Sequence, residues 1–256
     1  MEPLQRYLDF ATGTAFEAGR LTLGFFQRPF DVETKADGSP VTEADRQAEA
    51  LIRRRIERQF PSHSVAGEEQ GAVTGSDAVH RWVIDPIDGT RSFVRGIPTY
   101  AVLLGLEIEG EPRVGVAHFP ALGETIAAAD GCGCWWNGRR ARVSDVRALR
   151  DASLAHADAA CFERPGRAEP WARLRQRVRS CIGSPDAYGY ALVATGRAEL
   201  ALDPVLDEWD CAPYPPIMRE AGGFFGDWRG RPTVRGGEGL ATTSALLAEV
   251  LQAIAG

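Results

Sequence analysis

Nine residues, Trp82-Val83-Ile84-Asp85-Pro86-Ile87-Asp88-Gly89-Thr90, leave the chain little freedom. A short apolar run led by an aromatic residue reads as a buried strand. Here it runs into two carboxylates three positions apart, and then into glycine. If the strand ends at Asp85, that carboxylate sits at the C-terminal edge of a sheet, where sites form in α/β proteins. Pro86 stiffens the turn, so Asp88 swings back beside Asp85. Two ionised carboxylates packed so closely, half out of water, repel by several kcal/mol unless a proton or a divalent cation relieves them. Gly89 permits a close backbone approach, and Thr90 begins a helix whose free N–H groups suit an anion. Carboxylates for metal beside amides for an anion is what metal-assisted phosphate-ester hydrolysis needs. Alone, the same residues also describe an ordinary turn with an Asx-type cap.

The flanking pattern predicts helices and strands in alternation without strict βαβ regularity. Leu4, Leu8, Ala11, Ala15 and Ala18 recur at helical spacing, so a helix covers about the first 25 residues. Thr42 is an N-cap for a second, with Ala44, Ala48, Leu51, Ile52 and Ile56 on one face. Strands are expected at Ser64–Ala66, Trp82–Asp85, Tyr100–Glu107, Arg113–His118 and Glu124–Ala129, with a hairpin turn at Asn137-Gly138. The arginine-rich stretch from about 141 to 179 reads as an irregular junction. Beyond it come a helix from Asp186 to Thr195, a strand at Ala198–Asp203, one helix over Trp209–Ala221, and a last helix from Ser244 to Ile254. The expectation is an α/β (α+β) chain of layered sheets and helices, one domain with sub-domains of about 1–140 and 141–256.

Composition narrows the chemistry. With 256 residues, 44% hydrophobic, the chain can bury a large core, and a net charge of −6 speaks against a nucleic-acid partner. No apolar run approaches a membrane span, and the first ten residues lack the form of a signal peptide, so a cytoplasmic location is expected. Cys132, Cys134, Cys161, Cys181 and Cys211 are an odd, scattered set that reads as reduced thiols. Of the histidines His63, His80, His118 and His156, no two stand at metal-ligand spacing, so zinc chemistry is poorly supported.

Two further stretches carry carboxylates. Glu68 and Glu69 follow a short apolar strand and a glycine, and Asp210 follows Trp209 at a helix start. Each alone reads equally as solvated acid or helix-end carboxylate. Taken in order, "DGSPVTEAD", "GEE", "WVIDPIDGT", "VATGRAE", "WD" and "EAGG" resemble the inositol monophosphatase family of Mg²⁺-dependent phosphatases, over nearly the whole chain. The resemblance implies an inositol monophosphatase/fructose-1,6-bisphosphatase-like α-β-α-β-α sandwich. It implies that Glu68, Asp85, Asp88, Asp210 and the carbonyl of Ile87 hold two or three magnesium ions, with manganese able to substitute. Glu69 would stand behind them or position a water, Thr90 with Asp45 would orient the attacking water, and the Gly89 and Thr90 amides would hold phosphate. Hard oxygens independently favour Mg²⁺ over zinc or copper. Asp45 has a second reading, since Thr42-x-x-Asp45 is also a capping-box pattern. Family members commonly form homodimers.

The ester is suggested by Arg91, after the phosphate-binding threonine, and by "PDAYGYALVATGRAELALDP", which resembles the histidinol-phosphatase branch of that family. Histidinol phosphate offers an ammonium and an imidazole. Asp203 matches a family position that contacts the alcohol portion, and Asp186 opens the helix nearby, as substrate contact or helix cap. Arg91 either binds substrate or pairs with a local carboxylate. Inositol monophosphate and 3′-phosphoadenosine 5′-phosphate are the alternative substrates, and a non-catalytic metal-binding module is the alternative of another class. Asp207 and Glu208 read as solvated loop charges. The haloacid-dehalogenase phosphatases use D-x-D-G-T, not the D-x-x-D-G-T found here. Cys161 and Arg167 match the cysteine-phosphatase spacing, but "FERPG" between them lacks a glycine-rich cradle. Pro213, Pro215 and Pro216 depart from the family's helix, so the segment carrying Asp210 is expected to bend.

Overall fold

The computed structural model describes residues 4–36, 38–156, 158–183 and 186–256. Asp37, and the Ser184-Pro185 pair expected before a helix, lie outside them. The order is α1 (Leu4–Leu23), β1 (Val32–Thr34), β2 (Pro40–Thr42), α2 (Glu43–Gln59), β3 (Ser64–Gly67), β4 (Gly71–Val73), β5 (His80–Asp88) and α3 (Thr90–Val94). An antiparallel run follows: β6 (Ala101–Ile108), β7 (Glu111–Phe119), β8 (Glu124–Ala129), β9 (Gly133–Trp136) and β10 (Arg139–Arg140). The rest comprises β11 (Ser153–His156), α4 (Ala168–Arg177), β12 (Ser180–Gly183), α5 (Tyr188–Ala194), β13 (Leu200–Asp203), α6 (Glu208–Cys211), α7 (Tyr214–Ala221), β14 (Gly223–Gly226), β15 (Gly239–Thr243) and α8 (Leu247–Ala255).

Two large sheets result, ordered β10-β9-β8-β7-β6-β5-β3-β4 and β12-β11-β13-β15-β14. The first is antiparallel except where β3 runs parallel to β5, while β11 lies parallel to both β12 and β13. Alternation along β6 explains the layering. Val102, Leu104 and Leu106 join one core with Leu8, Ala11 and Ala15 of α1 and Ile52 and Ile56 of α2. Ala101 and Leu103 join another with Ala191 and Ala194 of α5, Ile217 and Met218 of α7, and Ala155, Ala201 and Ala241 of the second sheet. The far face of that sheet packs Leu154, Leu200 and Leu240 on Leu174 of α4 and Val250 and Ala253 of α8. Strands buried on both faces separate three helix layers, giving α-β-α-β-α.

Three expectations need correction. The stretch 141–179 is not merely irregular: it supplies β11, with Leu154 in one core and Ala155 in the next, and the helix α4. Four residues are too short a run to show a period, so burial decides the strand. The helix foreseen over Trp209–Ala221 is two helices, α6 and α7, broken at Ala212-Pro213. Pro213 is the N-cap of α7, so Pro215 falls in its first turn, where no donor is missed. The helix foreseen from Asp186 starts at Tyr188, and Asp186 sits before it at φ 61°.

Candidate active site

β5 does not stop at Asp85 but runs on to Asp88 through a bulge. Asp85 faces Leu103 and Asp88 faces Ala101, so three steps on β5 match two on β6. Along a regular strand, residues three apart point to opposite faces; the extra residue of the bulge turns both carboxylates to one side. Asp85 and Asp88 are 1% and 7% exposed, and their carboxylates and that of Asp210 offer oxygens all within 4.8 Å of one another. Asp85 Oδ1 accepts the Ile87 N–H at 3.0 Å, and Asp88 Oδ2 accepts the Ala187 N–H at 2.8 Å, across to the second half of the chain. Gly89 follows at φ 79°, and a Cβ there would lie 2.5 Å from Asp186 Oδ2. Only glycine meets both conditions.

Two helices begin at the site, and both begin alike. Asp45 is the third residue of α2, and its Oδ2 accepts from Thr42 N–H (2.9 Å) and Thr42 Oγ1 (2.5 Å). Asp210 is the third residue of α6, and its Oδ2 accepts the Asp207 N–H at 2.8 Å. Each carboxylate closes a capping box with one oxygen and keeps the other for the site. Thr90 Oγ1 stands 3.1 Å from Asp45 Oδ1 and 3.1 Å from the Ile87 carbonyl. Asp207 and Glu208 are therefore not loose loop charges: Asp207 caps α6, and Glu208 pairs with Arg81 and Arg235.

Glu68 and Glu69 follow β3, whose end is tied to β5 by Glu68 N–H donating to the Ile84 carbonyl at 3.3 Å. Buried Glu49 fixes this turn by accepting the N–H groups of Glu69 (2.8 Å) and Gln70 (3.1 Å). Lys35 Nζ bridges the two glutamates at 2.7 and 2.6 Å. Nothing in the sequence singles out Lys35, because its partners lie over thirty residues away.

Burial, then the charges of Glu68, Asp88 and Asp210, pushes Asp85 well above the usual carboxylate range. Asp88 is raised in the same way, by burial and then by Asp186 and Asp210. Burial pushes Asp210 up to about 7, and raises Glu68 against the opposing pull of Lys35. These carboxylates crowd together without enough positive charge among them. The donors are all hard oxygens, so the set fits an oxygen-preferring divalent cation.

The carboxylates open into a cleft of about 290 Å³. Glu68, Asp85, Ile87, Asp88, Gly89, Thr90, Arg91, Asp186, Asp203 and Asp210 line it together; Asp45 and Glu69 stand behind, reached through Thr90 and Lys35. Asp186 Oδ2 accepts from Ser92 Oγ at 3.0 Å and so caps no helix. Arg91 is exposed at the cleft's edge, and its charge bears on Asp186. Sequence reasoning missed Asp158, Arg164 and Tyr190, which also line the cleft. The first two flank a short 3-10 turn in an aperiodic stretch, which leaves no pattern to read. Cys161 lines the cleft too, but Arg167 points to Glu238 and stacks 4.8 Å from the Trp228 ring, so the two form no phosphate cradle.

Histidines distant in sequence do meet in the fold: His63, Asp77 and His80 offer ligand atoms within 4.8 Å of one another. His63 Nδ1 must accept the Trp82 indole N–H at 3.1 Å, because indole only donates. Neutral His63 therefore carries its proton on Nε2, facing Asp77 Oδ2 at 3.9 Å, and has no lone pair there for a metal.

The inositol monophosphatase family model matches residues 3–255. The chain is 42% identical to a histidinol-phosphatase of Chlorobaculum parvum, over 97% of this chain and 96% of that protein. It is 38% identical to a histidinol-phosphatase of Mycobacterium tuberculosis, over 95% and 96%. An inositol monophosphatase structure from Anabaena superposes with a TM-score of 0.87 at 30% identity, covering 98% of this chain and 96% of that one. The bulged strand, the capped carboxylates and these likenesses have one source: the chain belongs to the inositol monophosphatase family.

Proposed function

We propose that the chain is a Mg²⁺-dependent phosphate monoester hydrolase whose substrate is histidinol phosphate, giving histidinol and phosphate. The observation that carries the phosphatase reading is the convergence of Asp85, Asp88 and Asp210 beside the Gly89–Thr90 turn in one cleft. Glu68, Asp85, Asp88, Asp210 and the Ile87 carbonyl would hold the cations, Mg²⁺ or Mn²⁺. When bound, these supply Lewis acidity and neutralise charge on the phosphoryl group.

The chain's own residues do the rest. The Gly89 and Thr90 amides hold the phosphate. Thr90 gives its proton to Asp45 in a hydrogen bond, which leaves the threonine oxygen free to orient the attacking water. Burial raises Asp45 above the usual carboxylate range, which makes it a better proton acceptor near neutral pH. Glu69, held by Lys35, keeps Glu68 in place. Asp186 and Asp203 receive the cationic alcohol portion, with Arg91 at the rim. The names of the relatives at 42% and 38% identity support histidinol phosphate over inositol phosphate.

Phosphate release from a panel of histidinol phosphate, inositol 1-phosphate and 3′-phosphoadenosine 5′-phosphate, with Mg²⁺ and with chelator, tests this. Histidinol phosphate is expected to lead, and only with the metal. The substrate reading fails if it ranks among the poorest, and absence of release from every ester would favour the non-catalytic module. Among the described residues no helix is long and apolar enough to cross a membrane. We place the enzyme in the cytoplasm as a homodimer, which fractionation and light scattering would check.

A further inference from the structure

Outside the cleft, a ring of four charged side chains joins the two elements that bring Asp85 and Asp210 together. Arg81 of β5 meets Glu208 of α6 fork to carboxylate: Nη1 donates to Oε2 at 3.2 Å, and Nη2 donates to Oε1. The same Nη1 donates to Glu107 Oε2 at 2.9 Å, straight across from β5 to β6 in the sheet. Arg235, from the loop joining β14 to β15, closes the ring with Nη2 at 2.6 Å from Glu107 Oε1 and 3.3 Å from Glu208 Oε2. Two cations balance two anions, so the ring carries no excess charge, although Glu107 is only 2% exposed.

The helix α6 needs an anchor of this kind. It is a single turn, Glu208–Cys211, cut off from α7 at Ala212-Pro213, and one turn of helix does not sustain itself in water. It carries Asp210 in among Asp85 and Asp88, whose charges oppose its approach. Glu208 and Asp210 are the first and third residues of that turn. On β5, Arg81 and Asp85 are four residues apart in unbroken register, so both face away from the core that takes Trp82 and Ile84. The Arg81–Glu208 pair thus ties α6 to the strand that carries Asp85, about four strand steps (~13 Å) from that carboxylate.

We propose that Arg81 is a positioning residue for the metal site: its fork on Glu208 holds α6 against β5 and keeps Asp210 beside Asp85 and Asp88 despite their repulsion. The inference rests on these carboxylates being the metal site, and not on which ester is cleaved. Removing Arg81 sets two effects against each other. Losing a positive charge favours a cation nearby, but at ~13 Å, beyond the Debye length of about 10 Å, that gain is screened. Losing the anchor lets Asp210 retreat, and a cation must then draw it back. The second effect outweighs the first.

Calorimetric titration with Mg²⁺ of the wild type, Arg81→Met, Arg81→Lys, Glu208→Gln and the Arg81→Met/Glu208→Gln pair tests this. Arg81→Met should bind Mg²⁺ about fivefold more weakly or worse, although it has lost a cation. Arg81→Lys keeps the charge without the fork and should fall between Arg81→Met and the wild type. Adding Glu208→Gln to Arg81→Met should weaken uptake no further, since the contact is already gone. Saturating Mg²⁺ should restore kcat of Arg81→Met to within about threefold of the wild type, because Arg81 touches no reacting group. Unchanged or tighter uptake by Arg81→Met, losses that add in the double variant, or a kcat that Mg²⁺ does not restore would each overturn the proposal. Should Arg81→Met not fold, Arg81→Lys against the wild type carries the same test, with weaker uptake expected and equal uptake overturning it. If the wild type takes up no Mg²⁺, the metal reading falls and the anchor with it. If the wild type takes it up and Arg81→Met matches it, only the anchor falls.

Discussion

Asp85 has no solvent and too many acidic neighbours: Glu68, Asp88, Asp210 and Asp45 all bear on it. Asparagine keeps its shape and drops its charge. Asp85→Asn should lower kcat by about 10³-fold or more while raising the Tm of the metal-free protein, read by phosphate release and by melting. Unchanged kcat with equal melting would contradict its role. Asp45 behaves differently because it also holds the start of α2. Asp45→Ala should lose turnover and about 1 kcal/mol of stability together, checked by urea unfolding beside the assay. A variant that loses activity without loss of stability would separate the two duties.

At the scale of elements, the site depends on an elbow. The break between α6 and α7 lies flat on β6 and β7 because those strands carry glycine beneath it. A Cβ at Gly105 would come 2.8 Å from Ala212 Cβ, and one at Gly115 would come 2.0 Å from the Pro213 carbonyl oxygen. Gly115→Ala should lift the elbow and with it Asp210, costing about 1–3 kcal/mol and weakening Mg²⁺ uptake in a calorimetric titration. Uptake at wild-type affinity would show that Asp210 is placed by something else. The elbow was half legible: three prolines announced a bend, but the two glycines that receive it lie some hundred residues away. The strands from Tyr100 to Ala129 were legible because their apolar runs, buried on both faces, are long and are bounded by turn residues such as Gly110 and Gly123. The spacing of Asp85 and Asp88 showed two carboxylates meeting, though it did not show the bulge that turns them. The wall formed by Asp158, Arg164 and Tyr190 left no trace, since it is assembled by tertiary packing between segments without a shared period.

Across the whole molecule, the crowded carboxylates make stability depend on pH. Asp210 is raised to about 7, and Asp85 and Asp88 lie well above the usual range, so the folded chain keeps protons that the unfolded chain releases near pH 4. Their contribution is fully present in acid and is lost as pH climbs through the folded values. Burial of His118, pushed down to about 4, works in the opposite sense below about pH 6.5, the range in which an unfolded histidine titrates. From about pH 6.5 upward, through the value near 7 to which Asp210 is raised, the carboxylates act alone of the two. The metal-free protein should therefore melt at progressively lower temperature across that window, and excess Mg²⁺ should flatten the slope. A Tm that rises with pH in chelator would refute this reading of the cluster.

Because Asp45 and Asp210 each finish the first turn of a helix, the cage and those helices come into being together. A nascent chain, or one half unravelled, has its acids strewn along an open thread. Such a chain can neither sequester ions from its surroundings nor cut esters indiscriminately. On the function proposed above, hydrolysis is thereby confined to molecules that have already become whole.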